Sequence, residues 1–397
     1  MKYNGVVISD VHVGAMDIMI LYNEYKEIFL KNIKEMKKLD FLIITGDFFD
    51  HKYYLNDKES IMAYAMLKEL IEICKEKDAV VRIVYGTESH ECNQYDILSL
   101  LKIYDKVEVV KYVKEEELLP DLHVLYLPEE HIADKASYYE KYFTQEKKYD
   151  YIFGHGVIRE VMKDQVVHME NKETKENKRK KVPIFSSAEL NTVCKGQTFF
   201  GHYHINMNIN DKIFSVGSYS RWRFGEEGQK GYYEISCNTE KETYKAKFIE
   251  NTLARTFVTI GYGYDNEVFE NEDNMNKALG RIESMIDNKT FDHVRFVFNI
   301  PKDCDNPESK VNFLKEKYKF NDSIKVEITH GYVEEKKKQQ KEKLKEENKL
   351  YKFISDKDMA LEDKVSQFIE IEYHKSIPSK NIQNYLYLPL KEVLESE

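Results

Sequence analysis

The chain has 397 residues, enough for two or three domains that each bury a core of their own. Hydrophobic residues make up 42% and charged residues 33%, too apolar for a disordered chain and too interrupted by charge for a bilayer span. A net charge of −10 argues against nucleic-acid binding by bulk electrostatics alone, so any contact with a polyanion has to be local.

The N-terminus, MKYNGVVISDVH, opens on an alternating apolar strand where a secretory leader needs a charged stretch followed by a long apolar one. A cytoplasmic protein without a membrane anchor is expected. Further apolar runs of strand length follow at DFLIIT, AVVRIVY, HVLYLP, YDYIFG, QTFFG and KIFSVG, and their unbroken apolarity predicts strands covered on both faces. Between them, Tyr22 to Lys38 and Lys58 to Lys77 repeat apolar residues every three or four positions, as amphipathic helices do. Strands alternating with helices predict a layered α/β domain over residues 1–253. The pattern then resets over residues 254–332: strand TFVTI, helix NEDNMNKALGRIESMID, strand HVRFVFNI, helix PESKVNFLKEKY and strand SIKVEIT predict a second, smaller α/β unit. Residues 333–397 begin with EEKKKQQKEKLKEENK, polar on every side, and end in a more apolar tail with VSQFIEIEY and YLYLPL. Cys74, Cys92, Cys194, Cys237 and Cys304 are scattered without a CxxC pair, which points to buried thiols rather than a zinc site or disulfide framework.

Chemistry-bearing residues gather at the C-terminal ends of the predicted strands, where open α/β folds place ligands. The first strand ends in Asp10-Val11-His12 and the second in Gly46-Asp47-Phe48-Phe49-Asp50-His51. Later ones deliver Gly154-His155 and Gly201-His202-Tyr203-His204. Taken singly, Asp10 reads as a helix cap, Asp47 as a turn residue and each His as a core residue. Together they supply the Asp and His donors that suit Mn²⁺, Fe²⁺ or Zn²⁺, with i, i+2 pairs reaching one site from one extended segment.

In this order the motifs resemble those of the calcineurin-like metallophosphoesterase family, whose signature runs DxH, GDxxD, GNH(D/E), GH and GHxH. Four are intact. The third departs: Gly86-Thr87-Glu88-Ser89-His90-Glu91 stands where the family has an Asn ligand before the catalytic His, leaving Ser89 or Thr87 for the Asn position. The resemblance implies two mixed β-sheets sandwiched between helices and two divalent metal ions, Mn²⁺ foremost. It assigns one ion to Asp10, His12, Asp47 and His204, the other to Asp47, His155, His202 and the altered third motif, with Asp47 bridging. It makes His90 the group that protonates or stabilises the departing oxygen, and puts Asp50, His51 and Glu91 behind the ligands, where a turn or helix-start role is the alternative for the first two.

Beyond GHYH, the stretch KIFSVGSYSRWRFGEEGQKGYYEI resembles the nuclease subunits of SbcCD-type and related break-repair complexes, and GDFFD looks like the second motif of that branch. That likeness implies a DNA exonuclease, with endonuclease activity, acting in DNA repair or recombination. It also implies a small capping domain at 254–332, a C-terminal segment that docks on an SbcC-type SMC-like ATPase, and the homodimers common in the family. Arg221 and Arg223 either reach substrate phosphates or pair with Glu226 and Glu227; the basic run Lys172 to Lys181 either touches DNA or is a solvated loop. The rival readings are a small-molecule phosphodiesterase or phosphatase, and a metal-bound scaffold subunit that does not cut.

Overall fold

A computed structural model describes residues 1–54, 57–96, 98, 104–144, 149–161, 182–226, 228–262, 271–288, 291–300 and 308–330. The expectations for Lys172 to Lys181, for Glu227 and Cys304, and for the charged helix and docking segment at 333–397 lie outside the described residues.

Two six-stranded mixed sheets organise the first unit. One runs Thr243–Glu250, Gly231–Asn238, Lys2–Ile8, Phe41–Thr45, Val80–Val84, Val107–Val110; its last four strands are parallel, and the first two form an antiparallel hairpin laid against Lys2–Ile8. The other runs Met207–Asn208, Ile213–Ser215, Cys194–Gly201, Tyr149–His155, Leu122–Leu127, Lys114–Leu119, parallel in the middle and antiparallel at both edges.

Period-two alternation decides what each face touches. Val7, Phe41 and Ile43 join Tyr151, Phe153 and Phe199 in a core between the sheets. Val6, Ile8, Leu42 and Ile44 point the other way, into a core with Leu21, Phe29, Met66 and Leu70 from the helical segments Ile18–Glu24, Tyr25–Leu30 and Lys58–Glu76. On the far side of the second sheet, Leu125, Ile152 and Phe200 pack with Leu190 and Val193 of the helix Ser187–Val193. The chain is therefore an α/β protein with two mixed sheets between helical layers. All of FLIIT and all of VVRIV are buried, as strands covered on both faces must be.

Differences from expectation have local causes. The first helical segment starts at Ile18 rather than Tyr22, because the Asp17 carboxylate accepts from Met19 N at 2.8 Å and Ile20 N at 3.3 Å, a cap that satisfies free N–H groups. Gly231–Asn238 and Thr243–Glu250 add two strands beyond the expected ones; in the second, TYKAKFIE alternates apolar residues with Lys and Glu, the pattern of an edge strand exposed on one face. Cys74, Cys194 and Cys237 are buried, whereas Cys92 is only half-buried at the end of a short helix.

By contacts the chain divides into Met1–Thr259 with Ile286–Arg295, and Ile260–Met285 with the described residues from Phe296 on. A three-stranded sheet runs Phe257–Tyr262, His293–Ile300, Ile324–His330. The helix Glu272–Asp287 buries Met275, Ala278 and Ile282 at helical spacing, and the helix Glu308–Tyr318 buries Val311 and Leu314. Among the described residues no helix is long and apolar enough to cross a membrane.

Candidate metal centre

The turns that leave Lys2–Ile8 and Phe41–Thr45 are zipped together by backbone hydrogen bonds. Asp10 N donates to Gly46 O at 3.1 Å, His12 N to Asp47 O at 3.1 Å and Val13 N to Phe48 O at 2.8 Å. That pairing holds Asp10, His12 and Asp47 in the left-handed region, at φ 47°, 47° and 50°; His202 sits at φ 91°. Non-glycine residues in that region cost of order 1–3 kcal/mol each and persist only where surrounding structure over-determines them. Gly46, at φ 87°, has its α-carbon against His155, and a β-carbon there would lie 2.1 Å from His155 Nδ1.

Among the described residues four buried or half-buried donor groups result: Asp10, His12 and His204; Asp10, Asp47 and His155; Glu129, His155 and His202; and His12, Asp50 and His90. In the first, His12 Nε2 is 3.1 Å from His204 Nε2, and each lies within 3.8 Å of Asp10 Oδ1. Asp47 Oδ2 is 3.8 Å from His12 Nε2 and 3.3 Å from His155 Nε2. Asp10 is steadied by Ser9 Oγ and by the backbone N–H of His202, which donates to both its oxygens at 3.1 Å.

Acceptors behind the rings decide which nitrogens face inward. His155 Nδ1 donates to Thr45 O at 2.7 Å, His12 Nδ1 to Asp50 Oδ1 at 3.1 Å and His204 Nδ1 to Glu226 Oε1 at 2.8 Å. Neutral rings anchored this way present bare Nε2 lone pairs to the centre, the orientation that metal-bound imidazoles require. His155 Nε2 is fully buried with no hydrogen-bond partner, and the facing His12 and His204 nitrogens, 3.1 Å apart, need a proton or a metal ion between them. Neighbouring donor atoms 3.1–3.8 Å apart match the edges of a coordination shell with bonds of about 2.0–2.2 Å. The residues therefore fit a metal ion.

The electrostatics agree. Burial alone would lower the His155 and His12 pKa values, but the carboxylates facing His155, Asp47 first, raise it to about 10, and the hydrogen bonds of His12 to Asp10 and Asp50 raise it to about 9. Burial would raise the Asp10 and Asp47 carboxyls; the imidazoles instead hold both below the usual carboxylate range. A cluster that binds protons this firmly is one that a cation can enter by displacing them.

The altered third motif divides. Thr87 turns inward, its N–H donating to Asp47 Oδ1 at 2.7 Å and its hydroxyl 3.2 Å from Asp47 Oδ2. Ser89 is exposed on the short helix Glu88–Glu91. His90 is half-buried, its Nδ1 donating to Asp50 O and its ring edge-on to His12 with centroids 4.8 Å apart. Asp50 also reaches His51 Nδ1 at 3.3 Å, on an exposed ring. Glu91 is fully buried with neither oxygen hydrogen-bonded; burial and the nearby Asp47 charge push its carboxyl up to about 8.

Arg221 is spent on backbone carbonyls of Ala254, Arg255 and Gly228, and stitches its loop. Arg223 pairs with Glu226 Oε1 at 3.1 Å and is 65% exposed. Three contributors are absent from the expected site, Glu129, Trp222 and Lys230, and a fourth, Glu226, is expected from the sequence only as a partner of the arginines. Glu129 lines the group with His155 and His202; Glu226 orients His204; Trp222 rests on the His12 and His204 rings; and buried Lys230 donates to His204 O and Ser218 Oγ, both at 2.7 Å. For Glu129 a signal existed, since it follows the apolar run HVLYLP as the other donors follow theirs. Against known proteins, the chain matches no family model and no curated protein.

Proposed function

We propose that the chain is a two-metal phosphodiesterase of the metallophosphoesterase fold that cuts DNA. The observation that carries this reading is the single oxygen Asp47 Oδ2, which stands beside His12 Nε2 on one side and His155 Nε2 on the other, the position of a bridging ligand. Asp10, His12, His204 and Asp47 would hold one cation, and Asp47, His155 and His202 the second; mixed carboxylate and imidazole donors suit Mn²⁺. When bound, such a pair supplies an activated water and charge neutralisation for in-line displacement at phosphorus.

The chain's own residues do the rest. Asp50, Glu226 and the Thr45 carbonyl hold the imidazoles in the tautomer that faces inward. Trp222 covers His12 and His204 and keeps bulk water off them. His90, anchored through Nδ1, keeps Nε2 for a proton delivered to the departing oxygen. DNA is the substrate favoured by the likeness of Gly217 to Gly231 to break-repair nucleases, and a second α/β unit follows in chain order where those proteins carry a cap. An SbcC-type SMC-like ATPase as partner, a homodimer, and work in DNA repair or recombination in the cytoplasm belong to the same reading.

The test is cleavage of linear duplex and single-stranded DNA by the purified chain with Mn²⁺, beside bis-p-nitrophenyl phosphate. DNA degradation abolished in Asp47→Asn and His90→Asn is expected. Turnover of the small diester with DNA left intact would replace this reading with a small-molecule enzyme. Inactivity on both with metal bound would favour the scaffold, which the altered third motif motivates.

A further inference from the structure

Glu129 leaves the strand Leu122–Leu127 of the second sheet and is pinned to the first, its N–H donating to Tyr85 O at 3.1 Å just before the third motif. Its side chain is 3% exposed. One oxygen, Oε2, lies 3.1 Å from His202 Nδ1, 3.7 Å from His155 Nε2 and 3.1 Å from the Thr87 hydroxyl, which itself stands 3.2 Å from Asp47 Oδ2. We infer that Glu129 is a direct ligand of the second cation and occupies the coordination position that the third motif, lacking its Asn, leaves open. The inference rests on the two-metal reading above.

Three arguments carry it. His155 donates its Nδ1 proton to Thr45 O, so the neutral ring that a cation requires presents Nε2 beside Asp47 Oδ2 and Glu129 Oε2, three acceptors converging on one buried spot. The single Thr87 hydroxyl proton serves only one of the two carboxylates at a time and His155 Nε2 has no hydrogen-bond partner, so a positive charge between the three is needed to hold them together. A carboxylate that merely oriented His202 would face that ring alone, whereas Oε2 faces His202, His155 and Thr87 together. Finally, a neutral hydroxyl such as Thr87 is a weaker ligand for a divalent cation than a charged carboxylate, so the chain replaces a neutral donor by a charged one from the opposite sheet. The Thr87 hydroxyl, placed between Asp47 and Glu129, then sets the spacing of two ligands rather than serving as one.

The experiment is a Mn²⁺ titration of the full-length chain stripped of metal by a chelator, with free and bound Mn²⁺ read by electron paramagnetic resonance. The wild-type chain is expected to take up two equivalents with an exchange-coupled signal. Glu129→Ala should take up one, its second site weakened beyond the roughly 10–100-fold that loss of an outer-shell partner causes. Glu129→Gln, which keeps a neutral oxygen donor, should recover the second equivalent at reduced affinity. Two equivalents at wild-type affinity in Glu129→Ala would overturn the inference. If the alanine variant does not fold, judged by its melting curve, unchanged second-site affinity in Glu129→Gln overturns it equally. Fewer than two equivalents in the wild-type chain would instead defeat the two-metal reading on which this rests.

Discussion

At the scale of single residues, the centre is governed by what lies behind each imidazole. Nδ1 anchors turn His12, His155 and His204 so that their other nitrogens meet, and the carboxylates among them raise His12 to about 9 and His155 to about 10. Both values exceed the ordinary histidine value near 6.5, so the two protons stabilise the metal-free fold fully below about pH 6.5. That contribution is lost as pH rises through 9 and 10. Metal entry expels the same protons, so Mn²⁺ affinity should climb between pH 6.5 and 9 with proton release. Calorimetric titration in buffers of different ionisation enthalpy reads both, and an affinity that stayed flat across that window would rule out proton competition. His90 behaves differently, since it anchors on a backbone carbonyl and lies at the rim. His90→Asn is expected to lower kcat by about 10²–10⁴-fold at unchanged metal content, which metal analysis beside initial rates would check.

At the scale of elements, the site is a set of turns held out of their relaxed conformations. The Asp10–His12 and Gly46–Asp47 turns stay in the left-handed region because they hydrogen-bond to each other, and Tyr219 N ties the next loop to Asp10 O at 3.2 Å. Two glycine substitutions separate strain from crowding. Gly225, at φ 93°, has nothing within 4 Å of an added β-carbon, so Gly225→Ala should cost only the left-handed penalty, roughly 1–2 kcal/mol. Gly46→Ala meets the same penalty and also drives a methyl into His155, adding about 1–3 kcal/mol of overpacking. Thermal unfolding should rank Gly46→Ala well below Gly225→Ala, with loss of metal in the former alone. Equal melting temperatures would show that the junction between the turns is looser than its geometry implies.

At the scale of the whole first unit, the donors come from both sheets. Asp10, His12 and Asp47 leave the first sheet; Glu129, His155, His202 and His204 leave the second. A bound cation therefore cross-links the two sheets at the edge of their shared core. Mn²⁺ should raise the melting temperature of the metal-stripped protein with the logarithm of its concentration above Kd, about 2.7 kcal/mol of added stability at one hundred times Kd. Asp47→Asn, which removes the charge between the two groups, should abolish the shift, and a shift that survived it would place the stabilising ion elsewhere.

Much of this was legible in the residues alone, for a physical reason. Buried strands read as unbroken apolar runs, and polar residues at their ends stand out because nothing in a core favours them, so Asp10, His12, Asp47, His155, His202 and His204 could be picked in chain order. Edge strands such as Thr243–Glu250 were quieter, because one face is solvated and their apolar residues alternate with charge. What only the tertiary structure decided is who stands beside whom. Glu129 and Glu226 are ordinary surface-type residues by sequence, and become buried partners of His202 and His204 only when two sheets and a distant loop close on one point. Thr87 and Ser89 are equally plausible by spacing, and the turn into the helix Glu88–Glu91 directs the first toward Asp47 and leaves the second in solvent. Local sequence patterns determine elements and the donors at their ends, because periodicity and strand ends are properties of neighbours in the chain; long-range packing determines the coordination set, because its members are neighbours only in space.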